Sequence, residues 1–175
     1  MRRTSIITGM IAGLGICQLL PAQVFSSRVY NEEKGLSRNF IFSITQNTDG
    51  VLELGTEKGL VNFNGDKFTN YGVSNGLAED QVSCVYAATN GVTWLGHFQK
   101  GISCISNGVL SIIDSTQRTA GRITAIAEDK YGNIWAAPAG KGIVRVDRNS
   151  RKIDFPGDST GTYDVLLFDG LGRMI

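Results

Sequence analysis

The feature that most constrains the fold is a self-similarity with a fixed period. "TDGVLELGTEKGLVNF" begins at Thr48, "TNGVTWLGHFQKGISCI" at Thr89 and "KYGNIWAAPAGKGIVRV" at Lys130. The glycine after the turn recurs at Gly50, Gly91 and Gly132, and again at Gly172 in "FDGLGRMI", giving steps of 41, 41 and 40 residues. Upstream, the apolar pairs Ile41/Ile44, Val82/Val85 and Ile123/Ile126 keep the 41-residue step, and "KGLS" at Lys34 recurs as "NGLA" at Asn75. One slot, three residues after the first glycine, holds Glu53, Trp94, Trp135 and Ile175. A chain with such a period has to be read as an array of one supersecondary unit.

The unit itself reads as strands. "NFIFSITQ" is apolar and β-branched, "NTDG" is a turn signal, "VLELGT" and "LVNFN" alternate around the turn "EKG", and "KFTNY" is a fourth short run before the linker "GVSNGLAED". Four strands of about five residues joined by tight turns, every 41 residues, is the arithmetic of a β-propeller blade. No window holds apolar residues at i, i+3, i+4 and i+7 for three turns, which excludes helical repeats of this length. The 22 glycines in 175 residues suit a chain with many tight turns. The expected fold is all-β, a partial propeller of about three and a half four-stranded blades. Its units cover about 35–75, 76–117 and 118–159, and the unit at 160–175 is incomplete. Trp94 and Trp135 are expected to fill space between blades. Glu53 in their slot is expected either to face solvent at an unclosed edge or to mark a degenerate copy.

The N-terminus has another character. "MRR" precedes the uncharged run "TSIITGMIAGLGICQLL" and then "PAQVF", the pattern of a secretory signal peptide over 1–22 with cleavage after Ala22. The alternative is an uncleaved anchor or a buried helix, and the run is shorter than the roughly 20 residues that span a bilayer comfortably. Residues 23–175 then form the propeller domain, periplasmic or secreted, with no further segment apolar enough to insert in a membrane. Cleavage removes Arg2 and Arg3 from 17 basic residues, leaving 15 against 16 acidic. A nearly neutral chain gives no reason to expect a nucleic-acid partner. Cys84 and Cys104 remain, read as lying on the first and third strands of one unit. They would sit roughly 10 Å apart across the strand between them, which disfavours a disulfide and leaves two small buried thiols.

Order and spacing of the short motifs resemble the two-component regulator propeller repeat. Its pattern runs GLS, an I-x-x-I strand, D-x-x-G, a strand ending W-[IL]-G-T, then GL and a short f-x-g segment. Gly35-Leu36-Ser37, Asp49-Gly50, Gly55-Thr56, Gly59-Leu60 and Phe63-Asn64-Gly65 match in the first unit. Gly76-Leu77, Trp94-Leu95-Gly96 and Gly101-Ile102 match in the second, with His97 in place of Thr. The third keeps Asp129, Gly132, Trp135 and Gly142 but carries Ala136-Ala137-Pro138 at the strand end. The resemblance covers about residues 29–175. It implies an extracytoplasmic sensor region of a histidine-kinase type protein. Family members continue into further blades, a β-sandwich, a membrane helix and an output domain, none of which these residues supply.

Little in the sequence supports catalysis. His97 is the single histidine and is read as a surface residue at a strand end, so no imidazole metal cluster or Ser/His/Asp arrangement is expected. Glu128 and Asp129 are neighbours on a strand and point to opposite faces. "EDKYGNIW" is similar to the Asp-box of sialidases with one residue inserted between Asp129 and Gly132, and a hairpin turn explains it equally. "GKG" at 140–142 lacks the flanking residues of a phosphate loop and reads as a turn. No catalytic, metal or cofactor residue is therefore assigned and no cofactor is expected. Binding is the expected activity, for a small-molecule or carbohydrate ligand, with the binding residues unassigned; Tyr71, Tyr86 and Tyr131 are exposed aromatics suited to stacking on sugar rings. The alternatives are a secreted carbohydrate-binding or interaction module that closes by oligomerising through open blade edges, and a truncated gene product without activity.

Overall fold

Every turn signal in the first unit separates two strands in the structure. The computed structural model describes residues 27–38, 40–114, 119–147, 151–156, 161, 163, 165–169 and 173–174. The segment read as a signal peptide lies outside them, as do Gly172 and Ile175. Strands β1 (Ile41–Gln46), β2 (Leu52–Thr56), β3 (Gly59–Phe63) and β4 (Phe68–Tyr71) form the first antiparallel sheet in sequence order. The second contains β5 (Val82–Ala87), β6 (Thr93–His97), β7 (Ile102–Ser106) and β8 (Val109–Asp114). The third contains β9 (Ile123–Glu128), β10 (Ile134–Pro138), β11 (Val144–Val146) and β12 (Ile153–Asp154). β1 lies against β5 and β5 against β9, so the first strand of each blade is innermost and successive blades meet there. The fold is a partial β-propeller.

The glycine of the W-[IL]-G-T motif has a steric cause. Gly55 on β2 and Gly96 on β6 face the inner strand of the following blade. A Cβ on Gly55 would come within 2.9 Å of the Val82 carbonyl oxygen, and one on Gly96 within 2.5 Å of Ile123 Cβ. Val82 and Ile123 occupy the same repeat position, so both blade junctions are set by the same close approach. The third blade carries Ala137 there, buried with Ala125, Ala127 and Leu166, which belongs to the start of the fourth unit.

Polar bonds stitch the same junctions. Ser83 Oγ donates to the Ile123 carbonyl at 2.7 Å, and Ser43 Oγ accepts from Val85 N at 3.1 Å. Apolar clusters fill the rest: Leu60, Leu77, Val82, Val85, Leu95 and Ile105 between blades 1 and 2, and Trp94, Ile102, Cys104, Ile123, Ile126 and Ile134 between blades 2 and 3. The GLS and GLA motifs are caps. Gly35 and Gly76, at φ 100° and 106°, end single 3-10 turns, after which Leu36 and Leu77 drop into the core. At the tip between β7 and β8, Asn107 and Gly108 both adopt positive φ (51° and 75°), the conformation a two-residue type I′ hairpin requires.

Among the described residues, one face of the array has no blade packed on it. Val85 and Ile126, each facing the preceding blade, are 5% and 7% exposed, whereas Ile44, their counterpart on β1, is 60% exposed. Beside it Tyr30, Leu36, Ile41, Leu52, Leu54, Phe63 and Phe68 line an apolar groove of about 190 Å3. Cys84 and Cys104 are free thiols on β5 and β7.

Candidate functional site

Because the strands alternate in direction, the turns at 47–51, 64–67, 88–92, 107–108 and 129–133 gather on one face of the array. Among the described residues, two cavities at blade junctions open between these turns, and a third of about 200 Å3, lined by Val51, Asn62, Asn64, Lys67, Thr69 and Tyr71, adjoins the first.

The first is built around Glu53. Its position corrects one of the two sequence readings: Glu53 does not face solvent at an unclosed edge but is 2% exposed between blades 1 and 2, which leaves the reading of a copy that departs from the repeat. Thr93 Oγ1 on β6 donates to Glu53 Oε2 at 2.7 Å and Asn47 Nδ2 donates to Oε1 at 3.3 Å. Burial pushes the Glu53 carboxyl above its ordinary range, against the opposing effect of these two hydrogen bonds. Asn47, Asp49, Asn62, Tyr71, Thr93 and Asn107 complete most of the wall of a cavity of about 190 Å3. Asn62 Oδ1 is buried there with no hydrogen-bond partner among the described residues.

The second cavity, about 370 Å3, lies where blade 3 meets blade 2 and the fourth unit, and is lined by Tyr86, Thr89, Glu128, Asp129, Lys130, Gly132, Phe168 and Asp169. Glu128 accepts from Thr89 N at 2.8 Å and Thr89 Oγ1 at 2.9 Å, tying the two blades. Asp129 points elsewhere, as strand alternation demands. Its Oδ1 accepts from Tyr131 N and Asn133 N, both at 2.9 Å, and its Oδ2 accepts from Asn133 Nδ2 and Trp135 Nε1 at 2.9 Å. Burial alone would raise the Asp129 carboxyl, but four donors outweigh it and hold it below its ordinary range. The stretch similar to an Asp-box is thus a turn whose acid is fully occupied in holding its own hairpin.

His97 is the second correction. It is wholly buried at the end of β6, with Nε2 2.9 Å from Ser103 Oγ. The linker before β5 closes over this strand end: Phe98 N donates to the Gln81 carbonyl, and Glu79 accepts from Gln99 N and Lys100 N. Burial lowers the His97 pKa below its ordinary value, with the Gln81 carbonyl and Glu79 acting in the opposite sense. Of the three tyrosines, Tyr131 is 66% exposed while Tyr71 and Tyr86 are half-buried in the walls of the two cavities. Burial pushes the Cys84 thiol up to about 11, so it stays protonated at neutral pH. The segment at 140–142 is a turn between β10 and β11, with Gly140 and Gly142 at positive φ. Among the described residues no group of three or more His, Cys, Asp and Glu is placed to hold a metal ion.

What sequence reasoning missed is a coupling between two slots six residues apart. Asn47, Ala88 and Asp129 share one slot, and Glu53, Trp94 and Trp135 share the other. In blade 1 the first residue donates to the second; in blade 3 the second donates to the first. In blade 2 Ala88 offers nothing, and Trp94 Nε1 has no partner among the described residues. The signal was present in the 41-residue register, read across both columns together.

The architecture defines a class, the β-propeller, here present in part. Residues 118–139, which span β9 and β10, match the family model described as two component regulator propeller. Among solved structures, the chain is similar to the extracellular domain of a putative hybrid two component system from B. thetaiotaomicron, at 21% identity and a TM-score of 0.68, over 85% of this chain and 22% of that one. It is similar to the extracellular domain of a putative one component system from the same organism at 17% identity and a TM-score of 0.65, over 80% and 20% respectively. It also superimposes on virginiamycin B lyase from Staphylococcus aureus, at 17% identity and a TM-score of 0.62, over 77% and 47%. The chain therefore spans about a fifth of the length of the first two, and at these identities the likeness is one of fold. No curated protein sequence matches it.

Proposed function

We propose that this chain is part of an extracytoplasmic ligand-sensing propeller of the two-component type, and that it binds rather than catalyses. The observation that carries this reading is the coincidence of a regulator-propeller unit at 118–139 with a fold match over 85% of the chain to an extracellular two-component domain. Extracytoplasmic placement, and a signal peptide over 1–22 to deliver it there, belong to the same proposal. Among the described residues no helix is long and apolar enough to cross a membrane.

The ligand is a carbohydrate or another polar nutrient, and it binds on the face where the hairpin turns gather. Both junction cavities there combine carboxylates or amides with a half-buried tyrosine, a lining that orients hydroxyl-rich molecules. A thermal-shift screen of the full chain against mono- and oligosaccharides tests this: a dose-dependent rise of the transition with at least one sugar is expected, and a flat response across the panel counts against it.

A second reading, an interaction module that completes itself by self-association, is favoured by one observation, the uncovered apolar face at Ile44. Apolar surface of this kind is buried at both internal blade junctions, so a blade-like surface from another molecule would gain the same burial.

A further inference from the structure

The cavity at the junction of blades 1 and 2 is lined by Glu53, the residue that replaces tryptophan in the first copy of the repeat. At the equivalent position of blade 2, the Trp94 indole fills the junction and is buried. In blade 1 the smaller Glu53 leaves that volume open to the hairpin face. Burying a carboxylate at a site that repeat packing would fill with an indole costs free energy unless the charge has a partner.

Several acceptors in the walls have lone pairs to spare. Glu53 Oε1 and Oε2 each accept one hydrogen bond and keep further lone pairs. Asn62 Oδ1 is buried and has none among the described residues. Asp49 places a second carboxylate at the rim, and no lysine or arginine is among the lining residues. A ligand that fits this lining donates several hydrogen bonds and carries positive charge, and a cavity of about 190 Å3 limits it to a few heavy atoms.

We infer that the Glu53 cavity is a binding site for a small primary ammonium compound, whose head group sits among Glu53, Asp49 and Asn62. The charged nitrogen donates to acceptors left without donors by the protein, and partners a carboxylate that repeat packing alone would exclude. This cavity is one of the two offered above to a carbohydrate; the ammonium compound replaces the sugar here, and the carbohydrate reading then rests on the cavity at Glu128 and Tyr86.

Ethanolamine and ethylene glycol make the test, because they match in size and differ in charge at neutral pH. Each is titrated into the full chain, with binding followed by calorimetry and by amide NMR shifts at Gly91, Thr93 and Gly108. Saturable binding of ethanolamine without binding of ethylene glycol is expected. Glu53→Gln should weaken it about tenfold or more, and Glu53→Trp, which restores the residue found in blades 2 and 3, should abolish it while keeping a cooperative thermal transition. Equal binding of the neutral diol would overturn the proposal in favour of a polyol site. Absence of saturable ethanolamine binding, or binding unchanged in Glu53→Trp, would overturn it outright. Binding of the neutral diol alone, or a sugar response that survives Glu53→Trp, speaks for the carbohydrate reading and against the ammonium one, so the failures of the two are distinguishable.

Discussion

Trp135 Nε1 donates to Asp129 Oδ2 across a hairpin at 2.9 Å, and the same two repeat positions in the first blade hold Asn47 donating to Glu53 at 3.3 Å. Donor and acceptor have exchanged places while the bond is kept. Asn47 Oδ1 also accepts from Asp49 N and Val51 N at 3.0 Å, matching what Asp129 does for Tyr131 N and Asn133 N. The first slot is therefore a hairpin clamp that needs a side-chain acceptor two and four residues ahead of the amides it holds.

Removing the clamp should be costly and restoring it should help. Asp129→Ala strands four donors, and a loss of about 1–3 kcal/mol is expected in urea unfolding. Ala88→Asp supplies the missing acceptor beside Trp94 Nε1 and should gain about 0.5–1.5 kcal/mol by the same measurement. Asp129 also gives a pH signature. Its carboxyl is depressed in the folded chain, so its contribution is complete above the ordinary value near 3.8 and is lost as pH falls through the lower folded value. Asp129→Asn should flatten that acid limb.

The blade junction makes a steric prediction at Gly96. An added methyl meets Ile123 Cβ and Cγ2, so Gly96→Ala should destabilise by about 1–3 kcal/mol, read from the shift in unfolding midpoint. Combining it with Ile123→Ala should cost less than the sum of the two single changes, because the second removes Cγ2 and Cγ1, at 2.6 and 3.2 Å from the added methyl, and leaves only Cβ in the way.

His97 makes the fold sensitive to mild acid. Burial depresses its pKa in the folded state, so the unfolded chain binds the proton more readily. Stability is at its plateau above the ordinary value of 6.5 and falls as pH drops below it towards the folded value. His97→Thr, the residue blade 1 uses at Thr56, should flatten this part of the profile in thermal unfolding measured from neutral to mildly acidic pH.

The uncovered face predicts association. Light scattering of the full chain should show species larger than a monomer, and Ile44→Lys should shift the population towards monomer. A sharp monomer peak for the unsubstituted chain would remove the interaction-module reading.

The periodicity made the fold legible because blade strands are short and their turns need glycine or asparagine at fixed places. The 41-residue register located each sheet to within a few residues, and Gly55 and Gly96 stood out as motif glycines before their contact with Val82 and Ile123 was known. The burial of two side chains was missed for one physical reason. A propeller covers its strands by blade-to-blade packing and covers strand ends by linkers, neither of which a single unit displays. Glu53 is buried by β6 of the next blade through Thr93, and His97 by the linker residues around Gln81. The candidate site was the least legible part, since its cavity is lined by a residue that differs between copies, Glu53 against Trp94 and Trp135, which a search for shared residues passes over.

Ligand binding on the hairpin face is the property we propose for this propeller. Amide NMR of the full chain, titrated with whichever sugar or amine raises its thermal transition most, tests it most directly. Saturable shifts confined to the turns at 47–51, 88–92 and 129–133 are expected. Shifts confined instead to the opposite ends of the strands, around 57–58, 98–101 and 139–143, would contradict it.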